Sequence, residues 1–429
     1  MPSLKKSFLI CLCLFLLALT VNLCVGFKLG MQRKMESDAL YYKQIAQSLA
    51  VGQGYSQREG FWPDKPTMSR LPGWPFIVAL TFRAFPGACP DVVMRVLNLL
   101  LNTVVALLVA GLTMILFRNV PASFIAGGLY SIHPTALYLA YTGESEVLFL
   151  ALCIGGTMIV LAGRSARWLG FILLGASCLV RANFVLWIMF YAVLCMVLMV
   201  KKRQPDMSGP YSNVCPAGID KFPLLTFVFC VLLFVLPPAL WMLRNYRVCG
   251  RFPVMSSLRG EVFYGGNNAL TCGSREYWGY WVFPDRIPGE QSKKDLAATM
   301  SECAMDVYYY EKGKVFVRQN LMRMPRLLFG KLVRAYIPVP WKLNVATAGA
   351  SLYRWGLYIT CIVGMLFVWG KTECRYKAIL FTMVLVNIST VLFFWGCARF
   401  AFEVEPFLVP FSAVGVLKLM CPGILQTDK

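Results

Sequence analysis

The chain has 429 residues, 58% of them hydrophobic, and a mean hydropathy of +0.60. That balance is wrong for a soluble globule and right for a polytopic membrane protein, because each crossing needs about 20 apolar residues. The formal net charge is +21, yet no aromatic–basic repeat or zinc-ligand spacing accompanies it, so the partners it points to are membrane lipids and lipid phosphates, not nucleic acid.

The first apolar run lies within MPSLKKSFLICLCLFLLALTVNLCVGF, behind Lys5 and Lys6. It is long and no small-x-small cleavage site clearly follows it, so a retained span with a cytoplasmic N-terminus is expected rather than a signal peptide. Residues 28–91 form a first outer segment. In MESDALYYKQIAQSLAVGQGYS, Tyr41, Ile45 and Leu49 recur at helical spacing, and Gly52 and Gly54 end the helix. Asp38 stands at its head. Either it caps the helix, as Ser37 beside it can, or it is a catalytic base held at the lipid–water boundary. The loop QREGFWPDKPTMSRLPGWP follows, and the apolar stretch 74–85 is too brief to span, which predicts a juxtamembrane or partly inserted helix.

Further apolar segments lie near 92–117, 121–140, 146–163, 167–181, 183–200, 222–242, 350–370, 376–396 and 403–421. With the first run they predict an all-α polytopic fold of about ten transmembrane helices. Starting inside, Arg118, Arg164, Arg167, KKR at 201–203, KTECRYK at 371–377, Lys418 and Lys429 all fall on cytoplasmic turns, as the positive-inside rule asks. Three parts result: an N-terminal transmembrane module over 1–242 that includes the outer loop 28–91, an outer-face mixed segment of helix and loop over 243–349, and C-terminal transmembrane helices over 350–429. Many of the 16 cysteines lie inside apolar runs as packing residues. Cys89, Cys249, Cys272 and Cys303 lie in outer segments, where an oxidising compartment permits one disulfide of unspecified pairing.

Asp38, Arg70, Glu144, Glu146, Arg181, Arg244, Arg399, Glu403 and Glu405 all fall at the outer membrane boundary in this topology. Charges there are costly and usually face a bundle interior or a cavity. Acids and arginines from distant segments at one depth suit sugar transfer from a lipid-phosphate donor. A general base takes the acceptor's proton while arginines hold the phosphate and stabilise its departing charge. Asp38 is the candidate base. One of Glu144 and Glu146 binds acceptor, donor or a metal, or both merely place negative charge at a helix N-terminus. Arg70, Arg244 with Asn245, and Arg399 are candidate phosphate contacts. Against that stand headgroup snorkelling for Arg244 and neutralisation of Arg399 by Glu403 and Glu405. Arg181 pairs with a neighbouring span or touches substrate. His133, the one histidine, precedes Pro134 and suits a structural hydrogen bond, so a histidine-cluster metal site is excluded. No Rossmann glycine fingerprint, P-loop or aspartate-x-aspartate motif is present, which favours a lipid-linked over a nucleotide-linked donor.

Taken together, ESDALYYKQIAQSLAVGQGYS at 36–56, SRLPGWPFIVAL at 69–80, the segment from His133-Pro134 to TGESEVLF at 133–149, LVRAN at 179–183, LRNYRVCGRFPVMSS at 243–257 and ARFAFEVEPFLVPFSA at 398–413 resemble a known group. It is the multispanning glycosyltransferases of the C-type fold that use lipid-linked sugars, on the bacterial branch related to protein O-mannosyltransferases and the lipid A aminoarabinose transferase. The resemblance implies a C-type glycosyltransferase fold and a polyprenyl-phosphate-linked sugar donor. It implies Asp38 as the essential acid of the first outer loop, Glu144 or Glu146 lining the same cavity, and 243–349 covering the cleft and contributing to acceptor binding. Some relatives carry an adjacent acidic pair where this chain has one acid with Glu36 nearby, which leaves a divalent metal open. The acceptor is a lipid, a glycan or a protein, and the expected location is the bacterial inner membrane with the site facing the periplasm. The alternative is a multispan transporter or flippase of a lipid-linked or anionic substrate, disfavoured by the lack of an internal repeat with paired broken helices.

Overall fold

The computed structural model describes residues 4–163, 166–202, 224–251, 255–339 and 345–421. Arg164, Arg203 and Lys429, placed above on cytoplasmic turns, lie outside the described residues. The helices are α1 Leu4–Leu29, α2 Ser37–Ala50, α3 Gly73–Ala84, α4 Pro90–Phe117, α5 Val120–Ser131, α6 Pro134–Thr142, α7 Glu146–Ala162, α8 Arg167–Ser177, α9 Val185–Lys202 and α10 Leu224–Cys249. They continue as α11 Arg259–Gly266, α12 Ala269–Gly273, α13 Lys293–Thr299, α14 Glu302–Gln319, α15 Met324–Tyr336, α16 Val345–Val368, α17 Cys374–Phe393, α18 Ala398–Ala401 and α19 Glu405–Met420. Among the described residues there is no sheet, only an isolated antiparallel bridge between Ser56 and Pro66.

The expected ten transmembrane helices are not found. Among the described residues, five helices are long and apolar enough to cross a membrane: Leu9–Leu29, Pro90–Phe117, Leu225–Cys249, Ala346–Val368 and Cys374–Phe393. The pair α6 and α7, bent by 120° at its break, makes a sixth if it is counted as one span. The reason is length. At 1.5 Å per residue, about 20 residues are needed to cover a hydrocarbon core of about 30 Å. The run 121–140 is cut at His133-Pro134 into helices of 12 and 9 residues. The run 167–181 holds only the 11-residue α8, and 403–421 becomes the 16-residue α19 with Pro410 inside it. Hydropathy sees these runs as continuous, whereas the backbone breaks them.

The interior mixes apolar packing with a few paired polar side chains, as expected where a stray polar group would otherwise face hydrocarbon. Trp74, Phe171, Trp187 and Phe407 belong to one continuous buried cluster. Within it Asn22 donates to Thr103 Oγ1 (3.3 Å), Asn102 donates to Asn22 Oδ1 (2.9 Å) and Tyr130 donates to Asn102 Oδ1 (2.9 Å), which ties α1, α4 and α5 together. Helices α16 and α19 cross backbone to backbone. A Cβ on Gly364 would lie 1.9 Å from the Phe411 carbonyl oxygen, and one on Gly415 would lie 1.9 Å from that of Thr360. Only glycine permits that approach.

Gly415→Val is therefore expected to force α16 and α19 apart and to destabilise the protein by about 1–3 kcal/mol, the usual range for overpacking. Gly356→Ala, on α16 with nothing near its added Cβ, is expected to leave the thermal midpoint unchanged or slightly raised. Thermal unfolding of the two variants in detergent or nanodiscs checks this.

Candidate active site

Asp38 does not cap α2. The N-cap position belongs to Glu36, which makes no side-chain capping bond, and Ser37 takes a left-handed backbone with φ 55°. The Asp38 carboxylate instead turns to arginines. Arg70 Nη2 donates to Oδ1 at 2.8 Å, and Arg399 Nη1 donates to Oδ2 at 3.2 Å. Arg70 comes from the loop before α3, where Gly73 N donates to Leu179 O (2.8 Å) and Trp74 Nε1 donates to Gly143 O (2.9 Å). Gly143 ends α6 with φ 80° and lets the chain turn sharply into α7. Asn98 pins that turn by donating to Leu139 O (3.2 Å) and Glu144 O (3.0 Å). The same bend thus presents Glu144 and Glu146 and supplies the carbonyl that seats Trp74.

Arg399, on α18, is shared among three carboxylates. Besides Asp38, its Nη2 donates to Glu144 Oε2 at 2.9 Å and its Nε donates to Glu146 Oε1. Arg181, between α8 and a 3-10 turn at Ala182–Phe184, donates to Glu146 Oε1 at 2.9 Å and to Glu403 Oε1. Asn183 completes Glu403 with a bond of 3.0 Å to Oε2. Five chain segments converge here, so charges dispersed across the sequence become one paired cluster. Glu146 is fully buried at its floor, while Asp38 keeps 38% of its side chain accessible at its mouth. Two buried polar atoms of the cluster, Arg70 Nε and Glu146 Oε2, lack a partner, and such atoms usually mark a ligand or water position.

Desolvation alone would raise the Asp38 pKa, but the guanidiniums of Arg70 and Arg399, with Arg181 behind them, outweigh it and hold the carboxyl below the usual aspartate value. Burial, reinforced by the Asp38 charge, pushes the Tyr42 hydroxyl up to about 12. That neutral hydroxyl sits 3.3 Å from Ser145 Oγ. No group of three or more His, Cys, Asp or Glu among the described residues is arranged to hold a metal ion. The carboxylates that would have to serve face guanidiniums instead.

The cluster brings together Asp38, Arg70, Glu144, Glu146, Arg181 and Arg399. Arg244 and Asn245 stand apart from it. Arg244 donates to Thr67 O (2.7 Å) and lies over Trp241 and Tyr55, and Asn245 donates to Met255 O (3.2 Å). Arg244 holds the loop that leads to Arg70, Asn245 holds the chain at Met255, and neither joins the cluster. Glu403 and Glu405 do not neutralise Arg399 by direct bonds. Glu403 serves Arg181, and Glu405 pairs with His133 (3.1 Å) and Arg354 (2.7 Å).

Glu302 supports the site from α14. Its carboxylate accepts from Met68 N (2.9 Å), Thr67 Oγ1 (3.0 Å) and Ser257 Oγ, and so clamps the stretch before Arg70 onto the outer segment. Next to it Cys303 is bridged to Cys249. An acid in the first turn of a helix is so common a dipole partner that nothing in the sequence singled it out.

No family model matches the chain, and no curated protein matches it in sequence. Solved structures do match it in fold. The archaeal oligosaccharyltransferase AglB from Archaeoglobus fulgidus, in complex with an inhibitory peptide and a dolichol-phosphate, superposes with a TM-score of 0.56 at 12% identity, over 100% of this chain and 53% of that one. The Archaeoglobus fulgidus oligosaccharyltransferase in complex with Zn and sulfate gives 0.56 at 13%, over 96% and 49%. The chain spans about half the length of these enzymes. Its fold is similar to that of these two oligosaccharyltransferase structures.

Removing Arg399 strips Glu144 and Glu146 of a cation while leaving them buried. Arg399→Ala is expected to lower the thermal midpoint sharply, by the equivalent of about 3–5 kcal/mol, as for a broken buried pair. Adding Glu144→Gln to it is expected to recover part of that loss, which thermal unfolding of the single and double variants measures.

Proposed function

We propose that the chain is a membrane glycosyltransferase that moves a sugar from a polyprenyl-phosphate donor to a lipid, glycan or protein acceptor. The observation that carries this reading is the sharing of Arg399 among Asp38, Glu144 and Glu146, with Arg70 and Arg181 alongside. In this scheme Asp38, the most accessible acid of the cluster, takes the proton from the acceptor hydroxyl or amine. The acceptor atom bonds to the anomeric carbon as the bond from that carbon to the phosphate oxygen breaks. The polyprenyl phosphate leaves with the electron pair, and Arg70 and Arg399 stabilise its charge. Arginine suits this role because its planar fork matches phosphate oxygens and never loses its charge. Glu144 and Glu146 orient Arg399, and Arg181 holds Glu146. The dolichol-phosphate carried by AglB supports a lipid phosphate as the group bound in such a fold. On this reading segment 243–349 covers the cleft, and the site faces the outside of a bacterial inner membrane.

The test is transfer from a panel of radiolabelled polyprenyl-phosphate sugars to a membrane extract, with protein reconstituted in lipid. Asp38→Asn keeps the shape of the side chain and is expected to lower kcat by about 10²–10⁴, the usual contribution of a general base, with a thermal midpoint lowered modestly by the loss of its ion pairs but a cooperative unfolding transition retained. Equal transfer by both proteins would remove Asp38 from the chemistry. Absence of transfer from every donor, with uptake of a lipid-linked sugar instead, would replace the reading with transport.

The pH profile gives a second check. Because Asp38 is held below its ordinary value, it stays ionised as the pH falls through the usual aspartate range. The acid limb of kcat/KM is therefore expected below about pH 4. The same depression makes the Asp38 pairs stabilising above that range, and the contribution is lost as pH falls through the folded value.

A further inference from the structure

Two grips close on the stretch 67–69. From α10, Arg244 Nη1 donates to the Thr67 carbonyl at 2.7 Å. From α14, the Glu302 carboxylate accepts from Thr67 Oγ1 at 3.0 Å and from Met68 N at 2.9 Å. Ser257 joins the second grip, since its Oγ donates to Glu302 and its N donates to Met68 O at 3.1 Å. Ser256 Oγ adds a bond of 3.1 Å to Ser69 O. Arg70 comes next in the chain, and its Nη2 reaches Asp38 Oδ1 at 2.8 Å. Its Nη1 donates to the Ser69 carbonyl at 3.1 Å, so the guanidinium is seated on the same backbone that the grips hold.

The grips belong to different elements, and the bridge from Cys249 to Cys303 joins those elements where the grips lie. Cys249 ends α10, little more than one turn beyond Arg244, and Cys303 directly follows Glu302. Elsewhere α14 is fastened to α11 by the bond from Gly260 N to Asp306. Asn267, after α11, donates to the Phe393 carbonyl at the end of α17 (3.0 Å). Those bonds hold the outer segment on the α17 side, and the bridge ties it covalently on the α10 side. Both bridged cysteines are half-buried, within reach of a small reductant, whereas Cys272 of the same segment is buried and free.

We propose that Glu302 and the Cys249–Cys303 bridge form a redox latch that positions Arg70 against Asp38. With the bridge closed, Glu302 is held beside α10 and presents Arg70 to the cluster. With it open, the start of α14 draws Glu302 off the stretch 67–69, and the pair between Arg70 and Asp38 weakens. Closure forms the S–S bond, and the two electrons and two protons given up by the thiols pass to a disulfide oxidant, which leaves as a dithiol. The cluster is therefore completed only where the outer segment meets an oxidising compartment. Glu302 and the two cysteines are positioning residues, and the latch acts on the Arg70–Asp38 pair whatever reaction the cluster performs.

The test uses the full chain in nanodiscs, oxidised or treated with tris(2-carboxyethyl)phosphine. The phosphine opens the bridge to two thiols and leaves as its oxide, with oxygen taken from water. On reduction, hydrogen exchange read by mass spectrometry is expected to speed about tenfold in the peptide covering 65–71 and to stay unchanged in one from α4. Cys249→Ser, in which the bridge cannot form, is expected to exchange at the fast rate with or without phosphine. Pairing of Arg70 with Asp38 is read by a double-mutant cycle in thermal midpoint. Asp38→Asn is expected to lower the midpoint of the oxidised protein more than that of Cys249→Ser, because distant changes add unless they are coupled. Glu302→Gln is expected to shrink the Asp38→Asn penalty in the same way with the bridge intact. Unchanged exchange at 65–71 on reduction, additive midpoints, or free thiols at Cys249 and Cys303 in protein prepared without reductant would each overturn the proposal.

Discussion

Arg399 sets the terms for this molecule. One guanidinium cannot sit alone in a low-dielectric interior, and three carboxylates cannot sit together without a cation. By meeting Asp38, Glu144 and Glu146 at once, Arg399 forces α2, the α6–α7 bend and α18 into one arrangement. Two of these elements are irregular: α18 has four residues, and the bend turns by 120°. Their positions are intelligible only as a set.

Support for that set is layered around it. Arg181 anchors the floor by holding Glu146 and Glu403, and Asn387 secures the corner by donating to Phe400 O at 2.8 Å. On the opposite side, Glu302 and Arg244 grip the stretch before Arg70 from the outer segment. The bridge from Cys249 to Cys303 ties the end of α10 to the start of α14 just there. The outer segment therefore acts on the cluster through Arg70 rather than by adding charges of its own to it. A second buried group, Glu405 with His133 and Arg354, fixes α19 against α16 and the start of α6, which leaves Arg399 free of Glu405.

How much of this was legible in the sequence follows from what kind of signal each feature leaves. Asp38, Arg70, Glu144, Glu146, Arg181 and Arg399 were visible because charge beside an apolar run is anomalous at any register. The motif SRLPGWP was informative for a packing reason that emerged only in three dimensions: Gly73 and Trp74 reach Leu179 and Gly143, inside two of the other quoted stretches. Span count failed because hydropathy sums over a window and does not register a break. His133-Pro134 breaks the helix within a run that reads as continuous. The contacts of Arg244 were not legible because the end of an apolar run fixes only its depth. Its partner, the Thr67 carbonyl, leaves no trace in residue type.

The pairing of charges within the cluster bears on the reading proposed above. Asp38, Glu144, Glu146 and Glu403 face Arg70, Arg181 and Arg399, so every guanidinium of the cluster is already engaged by a carboxyl group. An anionic phosphate entering there has to take donors already committed to carboxylates. Glu146 and Glu403 are buried around Arg181. Asp38, at the accessible mouth, can exchange its arginines for water at the least desolvation cost. Phosphate binding on this reading therefore draws Arg70 and Arg399 away from Asp38. Those two charges are what hold its pKa down. Losing them makes the carboxylate a stronger base at the moment the donor is seated, so that one exchange of partners both binds the leaving group and prepares the acceptor of the proton.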